Sequence, residues 1–115
     1  MFQRRGQDVH LEMPITFVQA ALGTQVSVPS LDGTAQLTIP EGTQTGTVFR
    51  MRGAGIPNVS GKGRGDQYVK VNIEIPKNLN IPQKEVLKKF ESMVGDNQYE
   101  AKKGFFDKVK DFFTQ

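Results

Sequence analysis

Strict alternation of apolar and polar residues recurs along the first two thirds of the chain, and it constrains the fold more than any other feature. Val69, Val71, Ile73 and Ile75 are interleaved with Tyr68, Lys70, Asn72 and Glu74. Successive side chains of a strand point to opposite faces, so this stretch can bury one face and wet the other. Val9, Leu11, Met13 and Ile15 repeat the pattern, as do Val26 with Val28, then Ala35, Leu37 and Ile39, and then Thr47, Phe49 and Met51. The last of these has a basic opposite face, Val48, Arg50 and Arg52, and sits within Pro40 to Pro57 between glycine-bearing turns. Pro14, late in the first of these strands, indicates an edge position or a strand end.

The punctuation between strands supports the same reading. Leu31-Asp32-Gly33 is a hairpin turn signal. Thr16 can cap a short helix over Phe17 to Leu22, with Gly23 as its stop. Gly53 to Asp66 holds five of the twelve glycines and few apolar residues, and reads as a flexible loop. Several short strands separated by Gly, Pro and Asp turns predict a mostly β architecture: a small two-layer antiparallel β-sandwich with one short inserted helix.

After Pro76 the period changes. Asn80 and Gln83 stand at capping-box spacing with Pro82 in the first turn, and Val86, Leu87, Phe90, Met93 and Val94 follow at helical spacing. Gly95-Asp96-Asn97 ends that helix. A second helix, from about Lys103, carries Phe105, Phe106, Val109, Phe112 and Phe113 on one stripe and Asp107, Lys108, Lys110 and Asp111 on the other. The predicted organisation is a β domain over 1–79 and two C-terminal α-helices over 80–115. A short terminal helix is marginal alone, so its phenylalanine stripe must be covered. It either folds back on its own sheet or meets a partner chain or neighbouring domain.

Composition removes several function classes. A chain of 115 residues fits one small domain. It has no Cys, hence no disulfide frame, thiolate chemistry or cysteine zinc site. No long apolar run and no signal region are present, which predicts a cytoplasmic location and no membrane partner. The net charge of +3 is spread over turns and helices, a weak basis for a nucleic-acid partner, and none is expected. The abrupt start on a strand pattern reads as a fragment of something longer.

Candidate chemistry is sparse. Gly55 to Gly63 fails as a phosphate loop, because five residues separate Gly55 from Gly61 and Gly63 stands where a Ser or Thr is required. Arg64-Gly65-Asp66 reads as turn chemistry. His10, the only histidine, lies between Asp8 and Glu12 on one strand face, with no nucleophile-like turn beside it and no second cluster to complete a ligand set. No catalytic residue, metal site or enzyme activity is expected. Peptide binding by strands fits better, in a groove beside the short helix lined by Leu11, Met13, Val26 and Val28, although the same alternation also describes plain core.

Pro40-Glu-Gly-Thr-Gln-Thr-Gly-Thr-Val-Phe-Arg-Met-Arg-Gly-Ala-Gly-Ile-Pro57 closely resembles the second C-terminal domain of the bacterial DnaJ-type J-domain co-chaperones. Further motifs agree in order: Phe2-x-Arg4-x-Gly6-x-Asp8, Phe17-x-x-Ala20-Ala21-Leu22-Gly23, Leu31-Asp32-Gly33, Gly63-Arg64-Gly65-Asp66 and the terminal Lys103 to Phe113. The resemblance implies a β-sandwich that helps hold unfolded client polypeptides, with a groove at Leu11, Met13 and Val28. It also implies helices that join two protomers into a homodimer through Val86, Leu87, Phe90 and the Phe105, Phe106, Val109, Phe112 and Phe113 stripe. The chain lacks a His-Pro-Asp signature and Cys-x-x-Cys-x-Gly-x-Gly repeats. Neither zinc nor any other cofactor is therefore expected, and a DnaK-type chaperone would be engaged only through a J-domain. The competing expectation is a purely structural spacer and dimerisation module, with client contact made by other domains.

Overall fold

Period-two alternation becomes two sheets in the computed structural model, which describes residues 1–114. The strands are β1 (Phe2–Arg5), β2 (Asp8–Thr16), β3 (Thr24–Ser30), β4 (Gly33–Ile39), β5 (Val48–Met51) and β6 (Gln67–Glu74). One sheet has the order β1-β2-β6-β5, and β3 pairs with β4 in the other. The chain divides into two compact units, Met1–Pro76 and Lys77–Gln115.

The first unit is the expected mostly β sandwich. Val9, Leu11 and Ile15 of β2, with Val69 and Val71 of β6, turn inward from the four-stranded sheet. Val28, Leu37 and Ile39 answer from the hairpin, and Ala20 joins them from α1 (Phe17–Leu22). Each of the Val, Leu and Ile side chains contributes about 1.5–3 kcal/mol by leaving water. Phe49 and Met51 pack against this cluster while Arg50 and Val48 stay outside, as their alternation predicts. Gln67 is the buried polar residue among them, and its Nε2 donates to the Pro29 carbonyl oxygen at 2.9 Å, tying β6 to β3.

Pairing is antiparallel for β1 with β2, β3 with β4 and β5 with β6, but β2 and β6 run parallel. That is the one departure from the antiparallel expectation. A parallel pair needs a long crossover, and the whole segment of α1, the hairpin and β5 lies between these two strands. β2 is interior over Asp8–Leu11, where β1 covers it, and β1 does not extend to Pro14. The proline thus falls where that side of the strand is an edge.

Local capping sets α1 between the sheets. Thr16 Oγ1 accepts from the Gln19 N–H at 3.0 Å, and Gln19 Oε1 accepts from the Thr16 N–H at 3.0 Å. At the other end, the Ala20 carbonyl accepts from the Gly42 and Thr43 N–H groups. The Pro40 turn therefore finishes α1 before the chain enters β5.

In the second unit, α2 (Ile81–Met93) opens with the predicted box, Asn80 Oδ1 accepting from the Gln83 N–H and Gln83 Oε1 from the Asn80 N–H, both at 2.9 Å. A 3-10 turn, Asp96–Gln98, leads to α3 (Glu100–Thr114). This helix starts three residues before the expected Lys103, since Ala101 and Lys102 are good helix formers. Neither α2 nor α3 contains a buried residue.

Candidate functional site

The four groove candidates all lie on inward-facing positions of β2 and β3. Leu11 is 5% exposed and Val28 is fully buried, and both belong to the central cluster. Met13 and Val26 are half-buried and pack against that cluster. A ligand could reach Met13 and Val26 from outside, whereas Leu11 and Val28 are already covered by the opposing sheet. Beside them α1 leaves Val18 and Leu22 exposed, four residues apart on one helix face. Sequence alone does not single those two out, because a six-residue helix has too few positions for its apolar face to be assigned.

The helical candidates are placed differently. Val86 and Phe90 of α2 are exposed and Leu87 is half-buried. On α3, Phe105 and Phe106 are more than half exposed, Phe112 and Phe113 are 75% and 78% exposed, and Val109 is half-buried. Phe105 packs edge-to-face on Phe106, and Phe112 on Phe113, with centroids 5.2 and 5.4 Å apart. Adjacent residues thus pair along the stripe, leaving an apolar aromatic band that no other element of the helical unit buries.

The glycine-rich segment is built as a clasp, where the sequence suggested an untethered loop. Gly55 N–H donates to the Gly65 carbonyl at 2.9 Å, Gly65 N–H to that of Ile56 at 2.9 Å, and Ile56 N–H to that of Gln7 at 2.8 Å. A Cβ on Gly65 would stand 2.0 Å from the Gln7 carbonyl oxygen, so only glycine allows the three backbones to meet. Arg64 donates to the Gly55 carbonyl through Nε and a terminal nitrogen, and pairs with Asp32 of the hairpin turn at 2.6 Å.

Asp66 closes the clasp electrostatically. Its carboxylate accepts from the Gly53 N–H at 2.9 Å and pairs with Arg50 at 2.6 Å. The Gly53 N–H first, and then the Arg50 guanidinium, hold the Asp66 carboxyl below the usual carboxylate range. Asp8, at the start of β2, accepts from the Asp66 N–H at 2.8 Å. Among the described residues no three His, Asp or Glu side chains converge as a cation set. Nor is any described helix long and apolar enough to cross a membrane.

His10 has a partner that periodicity does not reveal. Its ring stacks on Tyr68, the residue opposite it in the parallel pairing, with centroids 4.9 Å apart and planes 15° from parallel. The signal was present as two aromatic residues on the polar faces of two strong strands. Recognising it required the β2–β6 register.

Comparison with known proteins fits both units. The family described as "DnaJ C terminal domain" matches residues 1–76, and "Chaperone protein DnaJ C-terminal region" matches residues 82–115. Relatives described as chaperone protein DnaJ include that of Acetivibrio thermocellus, 60% identical over 96% of this chain and 29% of the relative. That of Ruminiclostridium cellulolyticum is 59% identical over 98% and 30%, and that of Clostridioides difficile 56% identical over 100% and 30%. The chain spans about 30% of the length of these curated relatives. With the sandwich and the glycine clasp inside the first match, and α3 and all of α2 but Ile81 inside the second, the chain belongs to the DnaJ C-terminal domain family.

Proposed function

We propose that this chain is a non-catalytic module of a DnaJ-type co-chaperone that binds unfolded or extended client polypeptide and joins two protomers into a homodimer. The β-sandwich of 1–79 serves the client and the helices of 80–115 serve the dimer. The observation that carries this reading is the exposed aromatic band of α3, Phe105, Phe106, Phe112 and Phe113, accompanied by Val86 and Phe90 on α2. An amphipathic helix of fifteen residues with its apolar face in water is not stable alone, and a second copy offers the same face in return. Client binding is supported by family membership and by the half-buried Met13 and Val26. The module acts in the cytoplasm, requires no cofactor, and reaches a DnaK-type chaperone through a J-domain rather than through its own surface.

A second reading, a structural spacer and dimeriser that leaves clients to other domains, is favoured by the burial of Leu11 and Val28. An NMR titration of the chain with a permanently unfolded polypeptide separates the two. Under the first reading shifts centre on Met13 and Val26, and Met13→Asp weakens them while thermal unfolding stays cooperative. A titration unchanged by Met13→Asp removes the groove and leaves the spacer.

A further inference from the structure

The face of the four-stranded sheet turned away from the core carries a shallow groove of about 490 Å³, lined by Gln3, Arg5, His10, Glu12, Tyr68 and Lys70 among others. The geometry points to this outer groove as a docking site for an acidic, extended polypeptide segment. Leu11 also lines this groove, as the β2 residue between His10 and Glu12, but its side chain packs in the core on the other face with Met13, so the groove stands apart from the client reading above.

Strand register builds the site. Arg5 faces Asp8, Gln3 faces His10, His10 faces Tyr68 and Glu12 faces Lys70. The stacked His10–Tyr68 pair therefore forms the middle of the floor, with Arg5 at one corner and Lys70 at the diagonal one. Two strand spacings across and four residues along place the Cα atoms of Arg5 and Lys70 roughly 16 Å apart, the span of about five extended residues.

Charge complementarity selects the occupant. On the same face Arg50 is committed to Asp66 at 2.6 Å, and Asp8 accepts from the Asp66 N–H. Arg5 forms no ion pair among the described residues, and Lys70 meets Glu12 only at 3.7 Å. Arg5 thus remains for an incoming carboxylate and Lys70 can be drawn from its longer contact with Glu12, one cation at each end of an aromatic floor. Val48, half exposed beside Lys70, extends that floor and suits an apolar side chain placed between two acidic ones.

A single-stranded nucleic acid would need open ring faces on which bases stack. Here each ring covers a face of the other, and a backbone charged at every residue would not avoid the Glu12 carboxylate that lines the groove. A carboxylate-bearing peptide with discrete charges avoids that repulsion by register.

The test is an amide NMR titration of the full chain with a blocked peptide alternating Glu and Phe. Its counterpart with Lys in place of Glu and an oligothymidylate are run in parallel. The acidic peptide should shift Gln3, His10, Tyr68 and Lys70, and the lysine peptide should not. Exposed pairs of this kind change affinity by about two- to fivefold each. Arg5→Gln with Lys70→Gln should then weaken the acidic peptide by about four- to twenty-five-fold. Raising ionic strength from about 0.01 to about 0.15 M cuts the screening length from about 30 to about 8 Å and should weaken it without any substitution. Equal binding of both peptides, shifts elsewhere on the sandwich, affinity insensitive to salt, or oligothymidylate binding in place of the peptide would each overturn the assignment.

Discussion

Phe112→Ala is the sharpest perturbation of the proposed homodimer. Phe112 is three-quarters exposed on α3. A phenylalanine carries about 150–250 Å² of surface, so truncation removes on the order of 100 Å² that a partner could cover. At ~25 cal/mol per Å² this amounts to about 2.5 kcal/mol per protomer. A two-fold dimer loses it twice, and burial of only half the face would halve the total, giving about 2–5 kcal/mol per dimer. The dissociation constant should therefore rise at least about 30-fold. Alanine is the best helix former, so the substitution leaves α3 no less helical and isolates the contact from the fold. Sedimentation equilibrium over three decades of protein concentration reads the constant, and far-ultraviolet circular dichroism confirms the helix. A change below about threefold, with helicity retained, or a wild-type chain that is monomeric at the highest concentration, would refute the dimer argument.

Other consequences follow from single positions. Gly65→Ala should cost about 3 kcal/mol or more in chemical denaturation, because its Cβ meets the Gln7 backbone rather than a movable side chain. By contrast Gly104→Ala, with nothing within 4 Å of the added Cβ and a place on the polar side of α3 near Asp107 and Lys108, should stabilise that helix by about 0.8–1 kcal/mol. Asp66 binds its proton less readily when folded than when unfolded, so its contribution is complete above an unfolded value of about 3.9 and fades as pH falls through the lower folded value. Thermal melts from pH 7 to pH 2 should show that acid-side loss in the wild type, and Asp66→Asn should flatten it. Equal slopes for the two proteins would mean that the Gly53 and Arg50 contacts do not form in solution.

Much of the sandwich was legible because it depends on local alternation and local turns. Val69, Val71, Phe49 and Met51 face inward as their period demands, and Leu31-Asp32-Gly33 turns the hairpin. The predicted Asn80–Gln83 capping box forms, and the predicted Thr16 cap forms as part of a box with Gln19, since each needs only residues three apart. The parallel β2–β6 pairing was not legible, because it joins segments separated by the rest of the domain. Everything that depends on that register was hidden with it, including the His10–Tyr68 stack and the Lys70–Glu12 approach. The glycine clasp was missed for a related reason. Gly55 and Gly65 look like flexible-loop residues in sequence, yet the requirement they meet is set by Gln7, some fifty residues upstream.

The same register explains why the most recognisable stretch of the chain is not the place to look for activity. Pro40 to Pro57 spends its functional-looking groups internally: Gly42 on the end of α1, Arg50 on Asp66, Gly53 on the same carboxylate and Gly55 on Gly65. Groups whose hydrogen-bonding and charge are satisfied within the fold hold geometry but have little left to offer a ligand. The surfaces with unmet demand are the aromatic band of α3, where apolar area faces water, and the Arg5 to Lys70 diagonal, where Arg5 forms no ion pair among the described residues and Lys70 only the 3.7 Å one with Glu12. If the dimer and the acidic segment both bind, Phe112→Ala should leave the peptide shifts at His10 and Tyr68 intact. Arg5→Gln with Lys70→Gln should leave the sedimentation mass intact. Loss of both activities in either variant would show that one of these surfaces acts through the folding of the other and is not a site in its own right.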